Sequence, residues 1–292
     1  MNFIIAISRL SKKINLPMLA GLLLAFNTQP AHPCTLFAAA GSRVEGGGTL
    51  IAKNRDRAPR RSALKMFSSP GGFKFLGLVD ASSREQPAVA GVNEQGLVVV
   101  DASASCLPER DRRGDCASLT EKALAACASV DAAVARKEIW ARHPAFHLLA
   151  DGKKIAIVEA APHGQVAVRV RDQGALCHTN HYVDGKLNWA NRLLKVSSWV
   201  RQARIWELLA GHRAHLNLED FLNFSQDQDD GPDNSIWRTG GKHRATRTLA
   251  TWIVAQPRGQ APRVYVKLAN PGESEEIREL QLDTNFWQKQ RF

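Results

Sequence analysis

The sequence predicts a single α+β domain, with two sheets and helices packed outside them. Three observations carry this. The chain reads as strands, then helices, then strands again. Short apolar runs alternate with Gly, Asn and Asp turn residues at hairpin spacing. No internal repeat, low-complexity tract or linker interrupts the chain after residue 34.

The elements follow in order. Arg9, Lys12 and Lys13 precede the apolar run Leu16–Phe26, and a polar stretch follows at 27–33. A positive region, a short apolar core and a polar tail make a secretory signal peptide. The run is short against the roughly 20 residues that a spanning helix takes. Residues 1–33 are therefore assigned to a signal peptide and short leader, and residues 34–292 to one folded domain. Ala31 suits the last residue of a leader, whereas Gln29 is large where a small residue is preferred.

Thr35–Gly41 and Thr49–Lys53 flank Gly46-Gly47-Gly48 and read as a hairpin. Phe73–Val79 and Leu97–Ala102 are further strands, with Asn93–Gly96 turning into the second. Leu119–Lys137 is Ala-rich without Gly or Pro and reads as a helix. Phe146–Ala150 and Ile155–Ala160 form a hairpin across Asp151-Gly152, and Gln165–Val170 continues the sheet. Asn188–Leu209 carries apolar residues near helical period, among them Leu193, Leu194, Val196 and Val200. Leu218–Phe224 is a short helix with Asn217 as its cap. Thr246–Val254 and Val264–Leu268 close the domain.

Composition narrows the function classes. The 292 residues are 44% hydrophobic and 23% charged, which excludes a disordered, collagenous or multi-span membrane chain. The net charge is +11; residues 1–33 supply three cations and no anion, leaving +8 for the rest. The cations are scattered apart from a cluster at Lys53–Arg61, and no recognised motif accompanies them, so no nucleic-acid role is expected. Stable membrane insertion is not expected either, and self-association stays open.

Five cysteines are an odd number. Cys106 and Cys116 lie ten apart and could pair, while Cys127 and Cys177 read as buried small hydrophobes. No CxxC, HExxH, GxSxG or P-loop pattern occurs. The acidic stretch 227–231 fails the ligand spacing of a calcium loop. His178 and His181 fall three apart on a strand-like segment, so they point to opposite faces. No metal or cofactor is expected.

Cys34 stands directly after the leader. A cysteine that becomes the first residue of a mature chain carries thiol and α-amine together. The amine titrates near 7.7–8.0, so it can accept the thiol proton itself. Nucleophile and base are then one residue. The arrangement cannot work while the amine is held in a peptide bond.

Several segments in order, Cys34-Thr35, Gly48–Asp56, Asn93–Leu97, Thr179-Asn180 and Asp233–Arg238, resemble the N-terminal-nucleophile cysteine hydrolases. The likeness is strongest to the peptidase C45 group of isopenicillin-N acyltransferase and carcinine hydrolase, related to choloylglycine hydrolases and penicillin V acylases. The resemblance spans about residues 34–270. It implies a four-layer αββα sandwich with Cys34 opening an inner strand. It implies that Asp56 holds the terminal amine, that Asn180 donates its side-chain amide to the oxyanion, and that Arg238 lies near the nucleophile. Arg238 could anchor a substrate carboxylate or hold Asp56. Lys53 falls where bile-salt enzymes place an arginine beside the thiol; Arg55 is its rival, with strand register deciding. A backbone N–H near Ser103 is the second oxyanion donor.

The implied activity is hydrolysis of linear amides by an exported enzyme through a thioester. An acyltransferase using the same acyl-enzyme is the first alternative, and a non-catalytic binding protein on the same fold is the second. The site residues define amide chemistry and not the acyl group. Acylated amino acids, β-lactam side-chain amides, acyl-homoserine lactones and small β-alanyl amides all remain candidates.

Overall fold

The computed structural model describes residues 33–112, 114–241 and 245–288. The assigned leader lies outside them except for Pro33. In chain order the strands are β1 (Cys34–Ala40), β2 (Gly48–Arg57), β3 (Ser62–Phe67), β4 (Phe75–Asp80), β5 (Ala88–Asn93) and β6 (Val98–Ser103). Helices α1 (Cys116–Ala126), α2 (Val130–Ala135) and α3 (Lys137–Trp140) follow. Then come β7 (Ala145–Ala150), β8 (Ile155–Ala160), β9 (Val166–Arg171) and β10 (Gly174–His178). Helices α4 (Val196–Gly211), α5 (Leu218–Ser225) and α6 (Gly231–Asn234) lead into β11 (Arg247–Pro257), β12 (Arg263–Leu268), β13 (Glu276–Gln281) and α7 (Thr284–Gln288).

Two antiparallel sheets form, in the orders β10-β1-β2-β11-β12-β13 and β3-β4-β5-β6-β7-β8-β9. Strand alternation sorts their side chains into three cores. Cys34, Leu36, Ala38 and Ile51 meet Leu78, Val100 and Leu148 between the sheets. Phe37, Ala39, Leu50 and Ala52 face Ile205 and Phe221 of α4 and α5. Val79, Val99 and Leu149 face Leu119, Leu124 and Trp140 of α1 to α3. The layers are thus α, β, β, α, the sandwich the sequence implied. Strands covered on both faces are apolar throughout, which is why CTLFAAA reads as a run rather than an alternation.

Local chemistry fixes the joints. Between β1 and β2, Gly46, Gly47 and Gly48 all take positive φ. At Gly48 a Cβ would stand 2.1 Å from the Gln256 carbonyl oxygen, so only glycine lets β2 start against β11. Asn217 and Asp220 close a reciprocal capping box on α5, as the cap reading anticipated.

Two helix expectations are corrected. The segment Leu119–Lys137 is not one helix: Cys127 is extended, and Ser129 caps a new helix through the Ala132 N–H. A serine hydroxyl that competes for backbone N–H groups restarts the chain there. Nor is Asn188–Leu209 one helix, because α4 begins only at Val196. Leu193 and Leu194 lie in the preceding loop and face solvent. Cys106 and Cys116 are free thiols rather than a pair. The strands β3, β5 and β13 had no sequence counterpart.

Folding leaves two imidazoles, His147 and His181, in places that resist protonation, and His147 the more strongly. His147 on β7 is fully buried against Trp140, ring centroids 4.9 Å apart, and burial pulls its pKa down to about 3. The unfolded chain binds that proton near pH 6.5, so the unfolded state gains protons first on acidification. The stability associated with neutral His147 is present above pH 6.5 and is lost as pH falls toward 3. Thermal melts from pH 7 to pH 4.5 should show Tm falling for the wild type and falling less for His147→Leu. Parallel curves would show that this histidine does not set the slope.

Candidate active site

Cys34 is the first residue of β1 and is 5% exposed. The β1–β10 register pairs Leu36 with His178, and its continuation brings Asn180 opposite Cys34. The Cys34 backbone N–H donates to Asn180 Oδ1 at 2.8 Å. Asn180 Nδ2 donates to the Ser103 carbonyl at 2.9 Å, and the Asn180 backbone N–H donates to Ser198 Oγ at 2.9 Å. These bonds fix which end of the amide faces the start of β1. The structure therefore brings Cys34, Asn180 and Ser103, the last residue of β6, into one constellation.

Lys53 and Arg55 are two residues apart, so both share the β2 face that carries Ile51 toward the inter-sheet space. Register does not choose between them as the sequence reading supposed. Arg55 is the direct cross-strand partner of Cys34. Lys53 Nζ is buried, 2.6 Å from Asp101 Oδ1 and 2.6 Å from the Val89 carbonyl. Arg55 donates to Ser62 Oγ at 2.7 Å and pairs with Asp80 at 3.1 Å. Asp80 also takes Arg57 and Arg60, at 2.8 and 3.2 Å. Burial pushes the Cys34 thiol pKa up; Lys53 opposes this, and Asp56 and Asp101 add to it.

Asp56 takes the other side of β2. Its Oδ1 accepts from Thr248 Oγ1 at 2.8 Å, next to the irregularity between Thr248 and Ala250 that bends β11. Its Oδ2 lies 3.9 Å from Arg238 Nη1 and has no hydrogen-bond donor among the described residues. Burial raises the carboxyl pKa, against Arg201, Arg238 and Thr248, which lower it. Arg238 is buried beside Asp56 and is not among the residues that line the cavity described below. With residue 33 attached, the Cys34 nitrogen has a single hydrogen, and Asn180 rather than Asp56 receives it.

One residue of this constellation escaped the sequence reading. Arg201 of α4 is fully buried and donates from Nη1 to the Cys34 carbonyl and to Thr35 Oγ1, and from Nη2 to Asn180 Oδ1 at 3.0 Å. Burial pulls its pKa down to about 10, with Asp56 opposing. A signal existed: Ser197, Arg201, Ile205 and Leu209 recur every four residues, so a charge sits on the inward stripe. Thr248 and Asp101 were also missed, since only the fold brings them to Asp56 and Lys53.

A cavity of about 310 Å³ opens on this constellation. Cys34, Lys53, Arg55, Asp56, Asp101 and Ser103 line it on the strand side, and Arg112 and Cys116 on the other. Its wall combines a thiol, buried cations and a strand-end backbone, a set suited to attack on a carbonyl and to holding developing negative charge. No group of three metal-ligating side chains occurs among the described residues. His178 faces Glu159, 3.3 Å away, and Asp227 and Asp229 of the acidic stretch pair with Arg204.

Comparisons place this architecture among known proteins. Residues 43–273 match the family described as acyl-coenzyme A:6-aminopenicillanic acid acyl-transferase. No curated protein matches the chain. Among solved structures, a mutant of the conjugated bile acid hydrolase from Clostridium perfringens is similar at TM-score 0.56 and 13% identity, covering 85% of this chain and 92% of that one. The N-acylethanolamine-hydrolyzing acid amidase ortholog of Caenorhabditis elegans is similar at 0.55 and 14%, covering 77% and 94%. Penicillin V acylase from Agrobacterium tumefaciens is similar at 0.50 and 14%, covering 86% and 89%. At such identities the likeness speaks for a shared N-terminal-nucleophile hydrolase fold.

Proposed function

The chain belongs to the acyl-coenzyme A:6-aminopenicillanic acid acyl-transferase family, and we propose that it is an exported amidohydrolase. It cleaves linear, non-peptide amide C–N bonds through Cys34 as the first residue of the mature chain. The observation that carries this is the placement of Cys34. It opens β1, an interior strand of its sheet, and lines the cavity, with its nitrogen on Asn180 and its thiol within the electrostatic reach of Lys53.

Release of the residues before Cys34 turns a one-hydrogen amide into an amine. Asn180 Oδ1 keeps one hydrogen bond from it, and the buried Oδ2 of Asp56 is the acceptor that awaits another. The amine takes the thiol proton, and the thiolate attacks the substrate carbonyl carbon. The carbonyl π pair moves to oxygen, and the Asn180 amide and the Ser103 backbone N–H stabilise that oxyanion. When the tetrahedral adduct collapses, the C–N bond breaks and the protonated α-amine gives its proton to the leaving amine. Water then attacks the thioester, its proton returns through the α-amine, and the carboxylic acid departs with the thiol restored. An acceptor amine in place of water would give acyl transfer. Export into a water-rich compartment poor in acyl donors favours hydrolysis.

Intact mass and N-terminal sequencing of the exported protein test this reading, for the wild type and Cys34→Ala. The expected result is a wild-type chain that begins at Cys34. A mutant retaining His32-Pro33 would add that Cys34 removes its own leader, and a mutant also cut before residue 34 would assign that step to another protease. A wild-type chain beginning at residue 32 or earlier overturns the mechanism and leaves a binding protein on the same fold.

A further inference from the structure

Helix α4 is amphipathic in an inverted sense. The inward face of its first half carries Ser197, Ser198 and Arg201, all buried. Val196, Trp199, Ala203 and Trp206 recur at i, i+3, i+7 and i+10 on the outward face, and all are exposed. The apolar surface continues N-terminally through Leu194, 78% exposed, Leu193 and Trp189. Six of the nine exposed large hydrophobic residues described fall within residues 189–206, so this is a patch and not scatter.

Within the patch the charge is of one sign, with Asp184 and Glu207 standing at its two ends. Between Gly185 and Trp206 there are five basic residues and no acid. Arg192 pairs with Asp111, Arg204 with Glu207, Asp227 and Asp229, and Arg201 points inward. Lys186 and Lys195 have no ion pair among the described residues and flank the tryptophans.

We propose that this face docks the protein peripherally on an anionic phospholipid surface. Tryptophan is favoured at the headgroup boundary, where its ring is apolar and its N–H remains wet. Leu194 and Val196 would enter the acyl boundary, and Lys186 and Lys195 would meet lipid phosphates. The proposed contact lies in the interface plane, with the outward face of α4 against the headgroups; no helix among the described residues is long and apolar enough to cross a membrane. A second copy of the chain fits less well, because a two-fold contact would bring the same unpaired lysines against each other. The inference does not depend on the chemistry proposed for Cys34.

Flotation with vesicles tests it, using phosphatidylcholine alone or mixed with phosphatidylglycerol. The purified chain is compared with Leu194→Glu/Trp206→Glu and with Lys186→Glu/Lys195→Glu. All three proteins carry the same N-terminus, so any leader contribution cancels. The expected result is binding to the mixed vesicles with a blue shift of tryptophan emission, and binding reduced at least about tenfold in either variant and by high salt. Equal flotation of the variants and the wild type overturns the proposal, as does absence of wild-type binding. A dimer in sedimentation that the Leu194/Trp206 variant loses, without vesicle binding, overturns it in favour of a self-interface.

Discussion

Replacing Cys34 with alanine should abolish turnover of amide substrates while leaving the fold in place. With p-nitroanilides of short acyl groups as probes, the expected loss in kcat/KM is at least about 10³-fold, because the bond-forming atom is gone. Cys34 packs in the inter-sheet core with 5% exposure. Alanine fills most of its space, so the melting temperature should shift by only a few degrees. Iodoacetamide should label the wild type at this residue and block activity in step with labelling. Activity of Cys34→Ala within tenfold of the wild type would place the nucleophile elsewhere and end the terminal-cysteine reading.

The second large effect is expected at Asn180, and two substitutions separate its two tasks. Asn180→Ala removes the acceptor for the Cys34 N–H and for Arg201 Nη2, and the donor to the Ser103 carbonyl. Asn180→Asp keeps the acceptor beside Arg201 and removes the donor. Loss of one oxyanion donor costs roughly 10²–10³ in kcat. Both variants should therefore lose kcat by about that factor with little change in KM, while Asp retains more thermal stability than Ala. An Asp variant within tenfold of wild-type kcat would show that Asn180 only positions Cys34.

The hairpins were legible because period-two patterning and glycine punctuation act locally. The Gly46–Gly48 turn and the Asp151-Gly152 turn both formed where the residues placed them. Strand β13 was not legible, since Glu276, Arg278 and Glu279 give an exposed, charged strand with no apolar face to read. The pattern misled at Leu193 and Leu194, because period reports amphipathicity and not which side meets the core. At the site, the thiol and its chain position were visible in the sequence. Asn180, Asp56 and Arg238 came only through family likeness, since residues 146 positions apart meet by register alone. Arg201 could have been found from its place on a buried stripe, where a charge needs partners of its own.

The carboxylate of Asp80 is shared by Arg55, Arg57 and Arg60. Around the cavity, Lys53, Arg55, Arg57 and Arg112 stand against Asp56, Asp101, Glu109 and Asp115, so the wall is balanced in number. Asp80 acts instead as a clasp that ties the end of β2 and the turn after it to the end of β4. Arginine does not lose its proton in the range where proteins stay folded, so the carboxylate is the half of the clasp that acid can open. Burial pushes its carboxyl up, but the three arginines outweigh this and hold it below the usual range, so the joint should stay closed in media acidic enough to loosen an ordinary surface ion pair.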